Sequence, residues 1–159
     1  MSNIKYLVMD VDGTLTDGKI YMGNDGEVFK AFNIKDGYGI HDLASKANII
    51  PVIITGRESS IVLNRCKELG INMVFQGVSD KKAKLQEVVD SDNEDMSAVA
   101  FIGDDNNDYP CMEMVKNSGG LTACPNDASK EVVEISDYVC EKNGGEGAVR
   151  EFVEWIINK

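Results

Sequence analysis

The stretch "YLVMDVDGTLTDG", Tyr6–Gly18, decides the fold. Four apolar residues, Tyr6-Leu7-Val8-Met9, stop abruptly at Asp10, and Asp12 and Asp17 follow close behind. The apolar run reads as a strand buried on both faces, as in a parallel sheet. Like charges this close repel, and an unpaired buried carboxylate costs more than any single contact returns. Aspartates clustered where such a strand ends therefore call for something cationic beside them.

Outward from this strand (Ile4–Met9), the chain alternates short β-branched runs with amphipathic stretches. Further strands are expected at Ile50–Ile54, Met73–Phe75, Ala98–Ile102, weakly at Leu121–Ala123, and at Tyr138–Val139. Helices are expected over Asp36–Lys46, Ser59–Leu69, Lys81–Val89, Asp108–Lys116, Ala128–Ile135 and Gly147–Ile157. Leu63, Cys66 and Leu69 recur at helical spacing and are expected to cover the sheet. Strand–helix alternation with short connections predicts an α/β fold with a doubly wound, Rossmann-like parallel sheet. The 159 residues are expected to form a single domain, 1–159. One segment breaks the rhythm. "KIYMGNDGEVFKAFNIKDG", Lys19–Gly37, carries two alternating runs around Asn24-Asp25-Gly26, a β-hairpin flap over about residues 19–33.

Open α/β sheets bind ligands at the carboxyl ends of their strands. The chemically suggestive clusters all fall at such ends: Asp10-Val11-Asp12, Thr55-Gly56-Arg57, Ser79-Asp80-Lys81 and Gly103-Asp104-Asp105. Asp10 and Asp12, two apart in extended chain, can face the same way, and Asp104 can approach them across the sheet. Carboxylates with backbone carbonyls and water make a hard, all-oxygen site suited to Mg²⁺. Thr55, backbone amides and Lys81 add the donors and fixed charge that a phosphoryl group needs. Asp-rich loops after strands are also common as plain turns and caps. An EF-hand reading fails, because the sixth and twelfth positions from Asp10 are Leu15 and Tyr21. A dinucleotide fingerprint is absent from "DVDGTL".

The net charge is −11, from 16 basic and 27 acidic residues, which repels a phosphate backbone and argues against nucleic-acid binding. Cys66, Cys111, Cys124 and Cys140 show no metal or CxxC spacing and read as free thiols of a reducing compartment. With no secretory leader pattern and no membrane-length apolar run, a cytoplasmic protein without membrane contact is expected.

"DVDGTLTDG", "IITGR", "SDK" and "IGDDNNDYP" resemble, in order and spacing, the four motifs of haloacid dehalogenase-like phosphohydrolases. "FNIKDGYGI", "FQGVSDK" and "GGEGAVREF" further resemble the 3-deoxy-D-manno-octulosonate 8-phosphate (KDO 8-phosphate) phosphatases and their nonulosonate 9-phosphate relatives of the sialic acid group. The resemblance implies a Mg²⁺-dependent phosphomonoesterase working through an aspartyl-phosphate. Asp10 would be the nucleophile and Asp12 the acid and base, with Thr55 and Lys81 on the phosphoryl oxygens. Asp10, Asp12 (through its backbone) and Asp104 would hold the metal, with Asp105 and Asp108 either supporting those ligands from behind or orienting the lysine. Asp17 reads as structural.

Many relatives of this kind carry a cap domain. Here Asp17 and Asp36 are separated by 18 residues, room for a hairpin only, so the chain reads as capless. The resemblance implies a homotetramer that closes the site with neighbouring hairpins and C-terminal segments; a hairpin folded on its own domain is the alternative. The substrate would be a small phosphorylated sugar acid. Gly56 and Arg57 sit at the mouth, where a guanidinium suits a carboxylate. Arg57 at that place resembles the KDO 8-phosphate enzymes, whereas Glu146, where many of them carry a basic residue, resembles the nonulosonate relatives. Lys30, Lys35 and Arg150 are further candidate anion contacts, and His41 reads as a surface residue. A receiver-like phospho-switch and a phosphomutase are weaker readings: receivers place their acidic pair side by side, and mutases need a cap to exclude water.

Overall fold

The computed structural model describes residues 3–159; the first two positions of the expected domain lie outside them. A six-stranded, fully parallel sheet forms the centre: β1 (Tyr6–Met9), β4 (Ile50–Ile54), β5 (Met73–Phe75), β6 (Val99–Ile102), β7 (Leu121–Cys124) and β8 (Tyr138–Val139). Its order is β5-β4-β1-β6-β7-β8. β1 pairs with β4 on one side and β6 on the other, and every residue of β1 is buried.

Side chains alternate across the strands, and so build two cores. Leu7 and Met9 pack on one face with Ile40, Val62, Phe152 and Ile156. Tyr6 and Val8 pack on the other with Leu85, Met112, Val115 and Val132. The first face is covered by the π-helical segment Gly39–Ala44 that continues α1 (Ile34–Tyr38), by α2 (Ser60–Glu68) and by α6 (Ala148–Asn158), the second by α3 (Lys81–Ser91), α4 (Tyr109–Asn117) and α5 (Lys130–Ile135). Val149, Phe152, Val153 and Ile156 give α6 one buried stripe at helical spacing. Each such fully buried side chain contributes about 1.5–3 kcal/mol, which is why the layers hold.

Two details depart from the sequence reading. The helix expected over Asp36–Lys46 is a short α1 that widens into a π-helical turn at Gly39–Ala44. Gly39 there lies against the backbone of Arg150, where a Cβ would come within 3.0 Å of its Cα. Along α2, Val62 and Cys66 face inward, while Leu63 is 50% exposed. Its spacing from Cys66 fits a helical stripe, but the sheet meets the helix one residue earlier.

The hairpin forms as a separate two-stranded sheet, β2 (Tyr21–Gly23) and β3 (Gly26–Phe29), turning at Asn24-Asp25. Tyr21 stacks on Phe29 with ring centroids 4.3 Å apart. Met22, Val28 and Phe29 are exposed.

Candidate active site

The chain runs from β1 outward to β4 and β5, then returns to β6 on the other side of β1. The crevice between the carboxyl ends of β1 and β6 is thus the switch point where an open sheet binds ligands. Asp10 leaves β1 there and Asp104 follows β6. The Asp10 Oδ1 accepts the Val11 amide at 2.8 Å. The next turn is tight, with the amides of Thr14, Leu15 and Thr16 all donating to the Val11 carbonyl. Gly13 in that turn has φ +86°, and a Cβ on it would lie 1.9 Å from Asp104 Oδ2, so only glycine lets the two loops meet. Thr14 donates its hydroxyl to Asp104 Oδ1 at 3.2 Å.

Lys81 comes in from the start of α3, whose N-cap Asp80 accepts the Ala83 amide at 3.0 Å. Its Nζ lies 3.1 Å from Asp10 Oδ1 and 2.9 Å from Asp108 Oδ1, and its side chain is 4% exposed. Asp108 Oδ2 accepts the Asp104 amide at 3.1 Å. Asp108 therefore orients both the lysine and the loop that carries Asp104. Thr55, buried at the end of β4, shares a cleft of about 250 Å³ with Asp10, Asp12, Gly56, Arg57 and Asp104. Asp105 and Asn107 complete its rim.

Electrostatics demand a cation. Oxygens of Asp10, Asp104 and Asp108 all lie within 4.8 Å of one another. Burial, then the charge of Asp108, pushes the Asp10 carboxyl well above the ordinary carboxylate range. Burial, then Asp10 and Asp108, pushes Asp104 up to about 8. Burial alone would lower the Lys81 ammonium, but Asp10 and Asp108 outweigh it and hold it raised. One buried lysine cannot balance three carboxylates. Asp108 is already engaged by Lys81 and the Asp104 amide, which leaves Asp10 and Asp104 as the oxygens able to hold a metal. An all-oxygen donor set of this kind fits a hard divalent ion such as Mg²⁺.

Asp12, half-exposed beside this cluster, meets the hairpin. Lys30 Nζ lies 2.6 Å from Asp12 Oδ1 and 2.8 Å from Glu27 Oε2. Arg57 stands at 3.9 Å from both Asp12 and Glu27 and remains 53% exposed. Asp17 accepts the Lys19 amide and fixes the entry to the hairpin. Lys35 is exposed on α1, and Arg150 donates from Nε to Glu154 and stacks over Tyr38; neither lines the cleft within one protomer. Glu146 is exposed in the loop before α6. That loop packs on the turn after β1: Gly145 donates its amide to the Thr14 carbonyl, and a Cβ on Gly144 would lie 1.9 Å from the Gly13 carbonyl oxygen. Sequence reasoning did not single out Thr14 and Asn107, although both lie inside the quoted motifs, or Glu27, which lies in none; the paired glycines at 144 and 145 were a further visible signal.

Residues 72–152, more than half of the chain, match the haloacid dehalogenase-like hydrolase family. The chain belongs to the haloacid dehalogenase-like hydrolases. Among members of that family it is 44% identical, over 98% of its own length and 80% of the relative's, to the 3-deoxy-D-manno-octulosonate 8-phosphate phosphatase of Salmonella typhi. The crystal structure of the enzyme of that name from Yersinia pestis superposes with a TM-score of 0.92 at 41% identity, covering 99% of this chain and 82% of that one. The Moraxella catarrhalis enzyme, solved with a magnesium ion, a phosphate ion and KDO, gives 0.91 at 38% identity, covering 99% and 87%. The family read from the four motifs and the α/β fold read from strand–helix alternation both hold.

Proposed function

We propose that this chain is a Mg²⁺-dependent phosphatase that hydrolyses 3-deoxy-D-manno-octulosonate 8-phosphate. The observation that carries the reading is the Asp10 carboxylate at the sheet's switch point, with Lys81 at 3.1 Å and Asp104 facing it. The chain's similarity over nearly its whole length to enzymes of that name supports the substrate.

Asp10, which Lys81 and a bound metal together would keep ionised, attacks phosphorus and takes the phosphoryl group as an aspartyl-phosphate, the bond to the leaving sugar oxygen breaking. Lys81 and the Thr55 hydroxyl hold the phosphoryl oxygens and stabilise the charge that builds in the transition state. Asp12 gives a proton to the departing sugar alkoxide and then takes one from the water that cleaves the aspartyl-phosphate. The carboxylates of Asp10 and Asp104 and the backbone of Asp12 would hold Mg²⁺, which would supply charge neutralisation at the phosphate. Asp108 fixes Lys81 and the Asp104 loop, and Asp105 stands beside them. Arg57, half-exposed at the mouth, takes the substrate carboxylate through its two-pronged guanidinium. A nine-carbon acid is the second reading, and Glu146, an anion in the loop packed on the catalytic turn, favours it.

The exposed apolar residues Met22, Val28, Phe29 and Ile34 on the hairpin and α1 support a homotetramer in which copies cover one another's hairpins. Lys35 and Arg150 then meet substrate, if at all, in a neighbouring copy's cleft. The four cysteines, all buried and unpaired, support a cytoplasmic enzyme, and no helix among the described residues is long and apolar enough to cross a membrane.

Steady-state kinetics with Mg²⁺ on KDO 8-phosphate, N-acetylneuraminate 9-phosphate and an aryl phosphate test this reading. A preference of about a hundredfold or more in kcat/KM, about 2.7 kcal/mol, for the octulosonate is the expected result. Preference for the nine-carbon acid would transfer specificity to the Glu146 loop, and equal weak turnover of all three would overturn the substrate.

A further inference from the structure

Lys30 was read from sequence as a candidate anion contact, yet its ammonium does not face open solvent. It is the link in a chain of contacts that joins the hairpin and the N-cap of α2 to Asp12. Lys30 follows β3 and its side chain is 2% exposed. Its Nζ lies 2.6 Å from Asp12 Oδ1 and 2.8 Å from Glu27 Oε2. Glu27 Oε1 in turn accepts the Ser59 hydroxyl at 3.0 Å, at the N-cap of α2. Burial alone would lower the Lys30 ammonium, but Asp12 and Glu27 outweigh it and hold it raised; the same contacts with Lys30, together with Ser59, hold Glu27 below its ordinary value against burial. Enclosing a lysine head among fixed partners carries a desolvation cost that a solvated hairpin lysine avoids. Such an arrangement is worth its cost when the geometry of one partner matters.

We propose that Lys30 is a positioning residue for Asp12, anchored by Glu27 and Ser59, and that through it the hairpin sets where the proton donor stands over the cleft. The proposal rests on the acid and base role given to Asp12 above. Asp12 otherwise stands on a loop beside two carboxylates of like charge, with nothing in the turn after β1 to fix its side chain. Lys30 supplies that fixed point. It also makes the flap part of the catalytic geometry: a hairpin shifted by an ångström moves Asp12, and displacements of that size in catalytic groups cost about a hundredfold in rate.

Leaving-group dependence tests this directly. An alkyl phosphate needs its leaving oxygen protonated, whereas 4-nitrophenyl phosphate does not. Lys30→Met, Lys30→Arg and Asp12→Asn are compared on KDO 8-phosphate, on glycerol 1-phosphate, and on 4-nitrophenyl phosphate. Lys30→Met is expected to lower kcat on both alkyl phosphates about tenfold to a hundredfold with KM nearly unchanged, and to lower kcat/KM on the aryl phosphate less than about threefold. Asp12→Asn is expected to show the same pattern more strongly, Lys30→Arg to recover part of the loss, and Lys30→Met in the Asp12→Asn background to add nothing. Lys30→Met lowers Tm, as loss of a buried ion pair does, while Mg²⁺ affinity by calorimetry is unchanged, so the leaving-group dependence is what separates positioning from structure. A rise in KM confined to KDO 8-phosphate makes Lys30 a substrate contact, and equal losses on all three substrates make it structural; either overturns the proposal while leaving the Asp12 role standing. If Asp12→Asn itself shows no leaving-group dependence, the acid–base role fails and the proposal with it.

Discussion

Lys81 Nζ lies 3.1 Å from Asp10 Oδ1, both side chains almost wholly buried, and the same ammonium lies 2.9 Å from Asp108. A lysine shared by two buried carboxylates ties α3, the end of β1 and the start of α4 into one charged unit. Removing one member of a buried pair leaves the other uncompensated, at a cost of about 3–5 kcal/mol. Lys81→Met is therefore expected to lower Tm by roughly 6–20 °C and kcat by about a hundredfold or more. Thermal unfolding and steady-state kinetics check both, and an unchanged Tm would show that the pair carries no such strain.

Without a metal the carboxylate cluster makes stability depend on pH. Asp104 titrates near 8 in the folded protein and Asp10 also sits high, whereas both ionise near 4 when unfolded. Between those values the folded state binds more protons, so the metal-free protein loses stability as pH rises from about 4 to about 8. Mg²⁺ keeps both carboxylates ionised and removes that slope. The rise in Tm on adding Mg²⁺ to EDTA-treated protein is thus expected to be larger at pH 8 than at pH 5.

Asp36 gives a second titration, away from the cleft. Its Oδ1 accepts the Arg150 amide at 3.0 Å at the start of α6, and its other oxygen is buried with no partner among the described residues. Burial raises it to about 6, against the opposing amides of Arg150, Gly147 and Val149. The folded value exceeds the unfolded one, so this group too subtracts stability as pH climbs from about 4 to 6. Asp36→Asn keeps an acceptor without the charge and is expected to flatten that part of the profile. Asp36→Ala, which leaves the amides unpaired, is expected to cost about 1–3 kcal/mol at neutral pH in urea unfolding.

Gly13→Ala puts a methyl 1.9 Å from Asp104 Oδ2 at a backbone φ of +86°. The Asp104 loop has to move, so Mg²⁺ affinity by calorimetry and kcat are both expected to fall about a hundredfold. Gly144→Ala, aimed at the Gly13 carbonyl from the other side, is expected to produce a weaker form of the same defect.

The hairpin's exposed face is expected to hold copies together. Met22 and Val28 are 62% and 60% exposed, outside the Tyr21–Phe29 stack. Met22→Glu with Val28→Glu leaves the hairpin itself intact and is expected to convert the proposed tetramer to smaller species in sedimentation velocity. A tetramer surviving both changes would place the interface elsewhere.

Much of this was legible in the chain because the signals were local. Ile50–Ile54, Met73–Phe75 and Tyr138–Val139 form strands at the residues where β-branched and aromatic runs placed them, and the Asp-Gly turn located the hairpin. The strand ends named the cleft, since Asp10, Thr55 and Asp104 each follow an apolar run and a parallel sheet brings such ends together. What stayed hidden is long-range. No local pattern orders β4 and β6 around β1, or tells Leu63 from Val62 on α2. Lys30 reads from sequence as a candidate anion contact because its partner Asp12 is 18 positions away. Glu27, three residues earlier on an extended strand, carries no helical pairing signal either.

The most direct test of Asp10 as the nucleophile is acid quenching of the enzyme during turnover of KDO 8-phosphate with Mg²⁺, followed by peptide mass spectrometry of the adduct. The expected result is one phosphoryl group on Asp10, lost when Mg²⁺ is withheld and absent in Asp10→Asn, which turns over no substrate. A phosphoryl group on another residue, or full turnover by Asp10→Asn, would contradict it.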